Sequence, residues 1–297
     1  MFSGSMVAIV TPMTADGSVD WSAWDRLLDF HMREGTDGIV VAGTTGESPS
    51  LAAAEIEELT RVAVARCEQK VKVIAGAGTH ATESTVARTR SLSRLGVDAV
   101  MLVTPYYNKP PQEGLYRHFH AAAEASAAPI ILYNVPSRTA VDLLPSTIAR
   151  LARHPRIVAV KEATASLGRA REILSLCPAD FTVLSGDDAT AIELMSVGAR
   201  GVVSVSANVA PRRMHEACSA ALAGDLARAR AIDACLQPLH KDLFVESSPI
   251  PVKWAVARMG LIGNTLRLPL VELSPAHQDT VLRAMRAAGV TLEDQAA

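Results

Sequence analysis

Short apolar runs alternate with longer amphipathic stretches along this chain, and the alternation repeats about eight times. The runs are rich in Val, Ile and Ala, which is typical of strands covered on both faces. They are Met6–Val10, Gly38–Ala42, Lys72–Ala75, Ala99–Val103, Ile130–Tyr133, Ile157–Val160, Phe181–Leu184 and Gly201–Val205. The helical patterns between them include Leu51–Cys67, Glu83–Leu95, Gln112–Ala125 and Leu167–Leu176.

Strands that alternate with helices imply parallel strands joined by crossovers. Eight such units favour a closed (β/α)8 barrel, the TIM barrel of the α/β class, over an open sheet. We expect the barrel to occupy residues 1–224. Residues 225–297 have the pattern of helices only, and we expect them to form a helical extension packed on the barrel.

The amino-acid composition allows one large barrel core and disfavours a nucleic-acid-binding protein. The chain has 297 residues, 49% of them apolar, which is enough for one large barrel core. Its net charge of −2, its 4% aromatic residues and its lack of a basic run disfavour nucleic-acid binding.

The cysteines and the apolar runs of the chain indicate in which cellular compartment the protein is expected. The four cysteines (Cys67, Cys177, Cys218 and Cys235) contain no C-x-x-C pair, which fits a reducing cytoplasm better than a disulfide framework or a zinc site. The first residues, MFSGSMVAIVTP, lack the basic region of a signal peptide. No apolar run approaches the roughly 18 residues of a membrane span, so we expect a cytoplasmic protein with no membrane segment.

Lys161 follows the apolar run Ile157–Val160 directly. In a barrel of this kind the chemistry lies at the carboxyl ends of the strands, where Lys161 falls. A lysine at a strand end usually packs its stem and exposes its ammonium to water. The alternative is a Schiff-base lysine, because burial disfavours the ammonium form and leaves a nucleophilic amine that attacks a ketone.

Two other strand ends carry polar residues that could serve such an amine. Tyr133 either packs under a loop or passes a proton during imine formation. The segment GTTGES (43–48) is either a glycine turn with capping hydroxyls or a set of amides that binds a carboxylate. Arg138, in YNVPSRT (133–139), is either solvated or a bidentate clamp on a carboxylate.

Cofactor and metal motifs are weak. The segment GAGTHA (76–81) fits G-x-G-x-x-A, but it lies in the third unit and the next strand ends without an acidic residue, which disfavours a dinucleotide site. There is no H-E-x-x-H, and His118 and His120 are two residues apart, on different faces of a helix. We expect neither a cofactor nor a metal.

Taken together, GTTGES, TPYYN, YNVPSRT, KEAT and LSGDD resemble the dihydrodipicolinate synthase (4-hydroxy-tetrahydrodipicolinate synthase) family. The likeness runs from FSGSMVAIVTP to SPIPVKW (248–254) and TLRLP (265–269), nearly the whole chain. The wider superfamily, including N-acetylneuraminate lyase, shares the GTTGE loop, the tyrosine and the lysine. The arginine of NVPSRT resembles the synthase branch.

The resemblance implies a condensation of pyruvate with L-aspartate 4-semialdehyde in diaminopimelate and lysine biosynthesis, carried out by a homotetramer that is a dimer of dimers. Lys161 would form the Schiff base, and Thr44 and Thr45 would hold the pyruvate carboxylate. Thr44 would also share a proton relay with Tyr133 and with Tyr107 from a neighbouring subunit. The remaining implied contacts are Arg138 on the semialdehyde carboxylate, and Gly186 and Val203 in the pyruvate pocket.

The chain departs from the family pattern at one place. Lysine-inhibited members have a lysine-binding cleft, and Ser48 and Tyr106 match it. Elsewhere in the cleft the residues differ: Ala53 and Ile56 replace histidines, His80 and Ser84 replace Asn and Glu, and Pro49 replaces a smaller residue. We expect weak or absent inhibition by L-lysine, unless Glu83 supplies the missing carboxylate.

Two alternatives stay open at this point. One is another pyruvate-dependent class I aldolase that acts on a sugar acid. The other is an inactive barrel with a binding role, which the presence of Thr44, Tyr107, Tyr133 and Lys161 disfavours.

Overall fold

Eight parallel strands close into a barrel, as the alternating pattern predicts. The computed structural model describes residues 2–292; residue 1 of the predicted barrel and residues 293–297 of the predicted extension lie outside the described residues. Each strand pairs with the next one, and β8 returns to β1 through Gly4↔Gly201 to Val7↔Ser204. The strands are β1 (Gly4–Ala8), β2 (Gly38–Val41), β3 (Lys72–Gly76), β4 (Ala99–Val103), β5 (Ile130–Asn134), β6 (Ile157–Glu162), β7 (Thr182–Ser185) and β8 (Gly201–Ser204).

Helices connect the strands and cover the barrel. Within residues 2–292 they are α1 (Trp21–Arg33), α2 (Ala53–Cys67), α3 (Thr82–Leu92), α4 (Gln112–Ala125), α5 (Pro136–Thr139), α6 (Pro145–Leu151), α7 (Leu167–Leu176), α8 (Ala191–Ser196), α9 (Pro211–Leu222), α10 (Leu226–Asp242), α11 (Ile250–Arg258) and α12 (Pro275–Ala287). None of these helices combines the length and the apolarity needed to cross a membrane.

The predicted strand bounds agree with the structure to within two residues. The largest shift is in β1, predicted at Met6–Val10 and observed at Gly4–Ala8. The ladder stops early because the amide of Val10 donates to Asn208 Oδ1 (3.0 Å) instead of to a neighbouring strand. Asn208 Nδ2 in turn donates to the carbonyl of Ala8 (2.8 Å), so one side chain closes the end of β1.

Side chains of each strand alternate between two cores. The interior of the barrel is filled by one cluster that includes Met6, Ile74, Met101, Ile131 and Leu184. A larger cluster lies between the strands and the surrounding helices. This alternation places every second residue of a strand inside the barrel, and it decides which polar residues at the strand ends reach the interior.

The helix α10 begins after Asp225, whose side chain accepts a hydrogen bond from the amide of Arg228 (3.0 Å). The boundary predicted between residues 224 and 225 falls at this cap, and the division into barrel and extension stays a prediction. The prediction that the extension contains helices only is wrong for residues 243–249, between α10 and α11, and for residues 259–274, between α11 and α12, which form irregular connections. Gly260, with φ of +73°, ends α11, and long-range contacts rather than helical hydrogen bonds fix the segment that follows.

Candidate active site

Lys161 points into the barrel. It has the same strand parity as Ala159, which belongs to the interior core, and it pairs with Tyr133 on β5. Its Nζ lies 4.1 Å from the centroid of the Tyr133 ring. Among residues 2–292, no carboxylate pairs with this amine and no oxygen accepts a hydrogen bond from it. A buried lysine without a counterion fits a nucleophile better than a structural cation.

Glu162, although next in sequence, is not the counterion of Lys161, because it faces the outer layer. Its carboxylate accepts hydrogen bonds from the amide of Thr164 (2.9 Å), from Asn134 Nδ2 (3.1 Å) and from Arg169 Nε (3.0 Å). Asn134 is its partner on β5. The outward residues thus fasten the ends of β5 and β6 together, directly behind the inward pair Tyr133 and Lys161.

Gly186 leaves room for the lysine side chain. A Cβ at this position would lie 3.0 Å from Lys161 Cε, 3.1 Å from Lys161 Cγ and 2.7 Å from Ala163 Cβ. These separations are shorter than ordinary carbon contacts. A side chain at position 186 would therefore displace Ala163 and press on the Lys161 side chain, and glycine leaves both in place.

The GTTGES loop presents Thr44 and Thr45 to the same space. The loop is held by its own turns, since the Gly43 carbonyl accepts from the Gly46 amide (3.1 Å) and the Thr44 carbonyl accepts from the Glu47 amide (3.1 Å). Thr11 Oγ1 donates to the carbonyl of Gly46 (2.7 Å) and ties the loop to the end of β1. Thr45 is buried, while Thr44 is half-buried.

A cavity of about 120 Å³ lies above Lys161 and brings most of the predicted site residues together. Its wall includes Lys161, Tyr133, Thr44, Thr45, Arg138 and Gly186. The volume suits a ligand of a few heavy atoms. Arg138 is exposed at the mouth, where Nη2 donates to the carbonyl of Ser248 (3.3 Å) and other N–H groups of the guanidinium are left to bind an acid.

Phe244 and Ser248, also in the cavity wall, were missed by the sequence reasoning. They come from the irregular segment between α10 and α11, so the extension closes the site from the side. Phe244 has no local signal in the sequence, because its segment shows no periodicity. Ser248 opens the SPIPVKW motif, but the motif does not show that this residue lies next to Arg138 at the barrel mouth.

Two predicted residues do not join the cavity wall within one chain. Tyr107 is 91% exposed, and its φ of +76° turns the side chain away from its own barrel. Val203 is buried in the interior core below the cavity, and Val205 stands in the wall on that side. The pocket role of Val203 and the relay role of Tyr107 therefore stay predictions.

A neighbouring cavity of about 410 Å³ shares Thr44 and Arg138 with the first. Four residues of the predicted lysine cleft line it together with Tyr106: Ser48, Pro49, His80 and Ser84. Arg88 adds a further cation, and no carboxylate among the described residues belongs to the wall. Ala53 and Ile56 line a separate small pocket next to Arg88.

The GAGTHA glycines have a packing role. A Cβ on Gly76 would lie 2.3 Å from the Ala42 carbonyl oxygen, and one on Gly78 would lie 2.5 Å from the Val103 amide nitrogen. The segment that ends β3 therefore touches the end of β2 and the end of β4 backbone to backbone. This close approach explains the two glycines without a dinucleotide.

Within residues 2–292, the group that could hold a metal is His120, Glu124 and His154, on the outer surface. His154 Nδ1 accepts from the Arg156 amide (3.2 Å), so Nε2 carries the proton and donates to Glu124 (2.8 Å). This arrangement is satisfied without an ion. His118 is separate from the group: it is buried beside Thr82, and burial lowers its pKa to about 4.

The sequence and the fold of this chain are similar to those of one enzyme family. A profile of the dihydrodipicolinate synthetase family matches residues 1–288. The 4-hydroxy-tetrahydrodipicolinate synthase of Stutzerimonas stutzeri is 54% identical over 290 residues, which cover 98% of this chain and 99% of the relative. The chloride-inhibited dihydrodipicolinate synthase of Acinetobacter baumannii, solved with pyruvate, superposes with a TM-score of 0.96 at 45% identity and covers 98% of this chain and 100% of its own. The dihydrodipicolinate synthase of Aquifex aeolicus superposes with a TM-score of 0.96 at 44% identity. This match covers 99% of this chain and 100% of the Aquifex aeolicus chain.

Proposed function

The chain belongs to the dihydrodipicolinate synthetase family, and from this premise we propose that it condenses pyruvate with L-aspartate 4-semialdehyde through a Schiff base on Lys161. The reaction is that of a lyase in diaminopimelate and lysine biosynthesis. The observation that carries the proposal is the small cavity in which an unpaired, buried Lys161 faces Tyr133, Thr44 and Thr45.

The amine acts as a nucleophile, and the iminium that it forms acts as the electron sink. The Lys161 amine adds to the keto carbon of pyruvate and water leaves, giving an iminium. Loss of a methyl proton gives an enamine, whose carbon attacks the aldehyde carbon and forms the new C–C bond. The amino group of the semialdehyde then attacks the iminium carbon, closes the ring and releases the Lys161 amine.

The surrounding residues hold the reactants and move protons. Thr44 and Thr45 bind the pyruvate carboxylate by hydroxyl and amide donors, and Tyr133 passes protons to and from the reacting atoms. Arg138, free at the mouth, binds the carboxylate of the semialdehyde in bidentate fashion. Fixing two reactants in one small cavity supplies a large share of the acceleration.

Turnover of pyruvate with L-aspartate 4-semialdehyde, coupled to the NADPH-dependent reductase of the product, tests this function directly. Robust turnover supports the reaction and both substrates together. No turnover, with a borohydride-trapped pyruvate adduct still forming, would keep the lysine chemistry but assign the acceptor to another aldehyde. No turnover and no adduct would favour an inactive barrel.

Arg138→Ala separates the proposed reaction from an aldolase that acts on a sugar acid. In the proposed reaction we expect KM for the semialdehyde to rise about 100-fold, as expected for loss of a bidentate charged contact. KM for pyruvate should change less than threefold. Equal effects on both substrates would contradict the role given to Arg138.

The assembly and the compartment are part of the proposal. The proposed assembly is a homotetramer and the proposed compartment is the cytoplasm. The exposed ring of Tyr107 supports the assembly, because this ring could contribute to an active site only in a neighbouring subunit. The biosynthetic role of the family supports the compartment. Sedimentation gives the mass in solution, and a fully active monomer would contradict the shared Tyr107.

Weak or absent inhibition by L-lysine is proposed for the larger cavity. Its charged wall residues are Arg88 and Arg138, which repel the ammonium of lysine, and the described residues of the wall offer it no carboxylate. The initial rate should stay unchanged at millimolar L-lysine. A sub-millimolar inhibition constant would contradict the proposal and point to Glu83 as the missing acid.

A further inference from the structure

Three motifs that are far apart in the sequence meet at one buried point. Glu47 ends the GTTGE turn, Lys253 lies in SPIPVKW on α11, and Arg267 lies in TLRLP on the irregular segment before α12. The reaction described above gives no role to Lys253 or Arg267; the one residue of SPIPVKW that it involves is Ser248, whose carbonyl accepts from Arg138. Glu47 and Lys253, 206 residues apart, form an ion pair in which both side chains are fully buried.

Both oxygens of the Glu47 carboxylate are held by the C-terminal extension. Lys253 Nζ donates to Oε1, and the backbone amide of Arg267 donates to Oε2 (3.2 Å). Glu47 itself has φ of +57°, a left-handed conformation that costs a non-glycine residue free energy. The two contacts from the extension offset this cost and fix the residue in the turn.

The side chain of Arg267 connects the segment that holds Glu47 to residues on both sides of the GTTGES loop. Its guanidinium donates to the carbonyls of Gly17 (2.8 Å) and Ser50 (2.8 Å) and forms a bidentate pair with Glu55 (2.7 and 2.5 Å). Glu55 lies in the first turn of α2, directly after the loop. The extension therefore holds the GTTGES loop at Glu47 and again at its exit.

The position of Glu47 is transmitted to the threonines by backbone hydrogen bonds. The Glu47 amide donates to the Thr44 carbonyl (3.1 Å), and the Gly46 amide donates to the Gly43 carbonyl (3.1 Å). A shift of Glu47 therefore moves the peptide units that carry Thr44 and Thr45. Stability alone is a weak reason for such a pair, since desolvation of two buried charges can exceed their attraction. Burial lowers the pKa of Lys253, while the Glu47 carboxylate opposes that change.

We propose that Glu47 and Lys253 are positioning residues for pyruvate: the C-terminal extension, through this ion pair and Arg267, holds Thr44 and Thr45 where they bind the pyruvate carboxylate. The inference rests on the proposed Schiff-base function of Lys161. It assigns the extension a role in substrate binding in addition to packing.

The test uses the full-length double variant Glu47→Gln/Lys253→Met. The amide still accepts from the Arg267 backbone, the methionine keeps the length of the lysine stem, and no uncompensated charge remains buried. Protein is incubated with a series of pyruvate concentrations, reduced with borohydride, and the adduct fraction is read by intact mass. This assay reports pyruvate binding to Lys161 without the semialdehyde. Arg66→Met, which removes the exposed pair with Asp29 between α1 and α2, is the matched control.

We expect the half-saturating pyruvate concentration of the double variant to rise about 10-fold to 30-fold, with the amount trapped at saturating pyruvate and the control unchanged. A double variant that folds and keeps the wild-type half-saturation would overturn the proposal and leave the pair a purely structural contact. A wild-type protein without any adduct would instead overturn the proposed function.

Should the double variant not fold, Glu55→Gln decides the question, because Glu55 is only partly buried. It loosens Arg267 without exposing a buried charge, and the expected half-saturation is two to five times that of the wild type. An unchanged value in this variant would overturn the proposal.

Discussion

Lys161 and Lys253 are two buried lysines in opposite surroundings. Lys253 is fully buried and paired with Glu47, so its charge is compensated and its position is fixed. Lys161 is 5% exposed and faces the Tyr133 ring at 4.1 Å, with no carboxylate partner among the described residues. Both lysines are buried, so burial does not distinguish them. The difference is the carboxylate partner: a buried lysine with a counterion can fix a loop in place, whereas one without a counterion is available for covalent chemistry.

Replacing the unpaired lysine should have the largest effect on activity. Lys161→Ala removes the nucleophile, and we expect turnover to fall by at least about 10³-fold. The variant should stay folded, because no ion pair or hydrogen bond of the described residues is lost. Coupled turnover and thermal unfolding measure the two quantities. Near wild-type turnover would remove Lys161 from the mechanism.

The matched change at the paired lysine should act mainly on stability. Lys253→Met leaves the buried Glu47 carboxylate without its cation, which is expected to cost about 3–5 kcal/mol of unfolding free energy. Denaturant unfolding of the two single variants gives the comparison. Equal losses of stability in Lys161→Ala and Lys253→Met would mean that the two lysines do not differ in the way described.

Gly186→Ala should reduce activity while leaving the lysine in place. The added Cβ would press on Lys161 Cε at 3.0 Å and Ala163 Cβ at 2.7 Å, and displacement of a reacting group by even about 1 Å can cost roughly 100-fold in rate. Gly168→Ala on α7 is the control, since its nearest neighbour is Ser166 Oγ at 4.0 Å. Wild-type kcat/KM in Gly186→Ala would show that the amine tolerates the displacement.

A third buried base, His31, extends the comparison to pH. It has no carboxylate partner among the described residues, and burial lowers its pKa to about 3 from 6.5. As the pH falls through 6.5, His31 becomes protonated in the unfolded chain but stays neutral in the folded chain. The stability that the neutral imidazole contributes above pH 6.5 is therefore lost on acidification, by about 2 kcal/mol at pH 5.

Unfolding free energies between pH 7 and pH 5 test this for the wild type and His31→Asn. The variant should show a flatter dependence on pH, although it is less stable throughout because it loses packing. Parallel curves for the two proteins would show that His31 is not the group responsible.

The fold was predictable because barrel strands are covered on both faces and therefore appear as unbroken apolar runs. The position of β6 was predictable for the same reason, although its end was predicted at Val160 and lies at Glu162, so that Lys161 belongs to the last residues of the strand rather than following it. The partner of Lys253 was not predictable from local pattern, since the contact joins residues 206 apart. The wall residue Phe244 escaped prediction because its segment has no periodicity, and the SPIPVKW motif did not show that Ser248 lies next to Arg138.

Val203 and Tyr107 show two further limits of sequence reasoning. The direction of a side chain at a strand end depends on where the strand stops: β8 ends at Ser204, which leaves Val203 in the interior core and Val205 in the cavity wall. For Tyr107, a positive φ that no residue pattern announces sends the ring outward, toward the place where a second subunit is proposed.

If only the unpaired lysine forms the imine, pyruvate should modify Lys161 and leave Lys253 untouched. Incubation with pyruvate and borohydride, followed by digestion and peptide mass analysis, distinguishes the two lysines. We expect one reduced pyruvate adduct, on the peptide that contains Lys161, and an unmodified Lys253 peptide. An adduct on Lys253 or on another lysine, or no adduct at saturating pyruvate, would contradict this expectation.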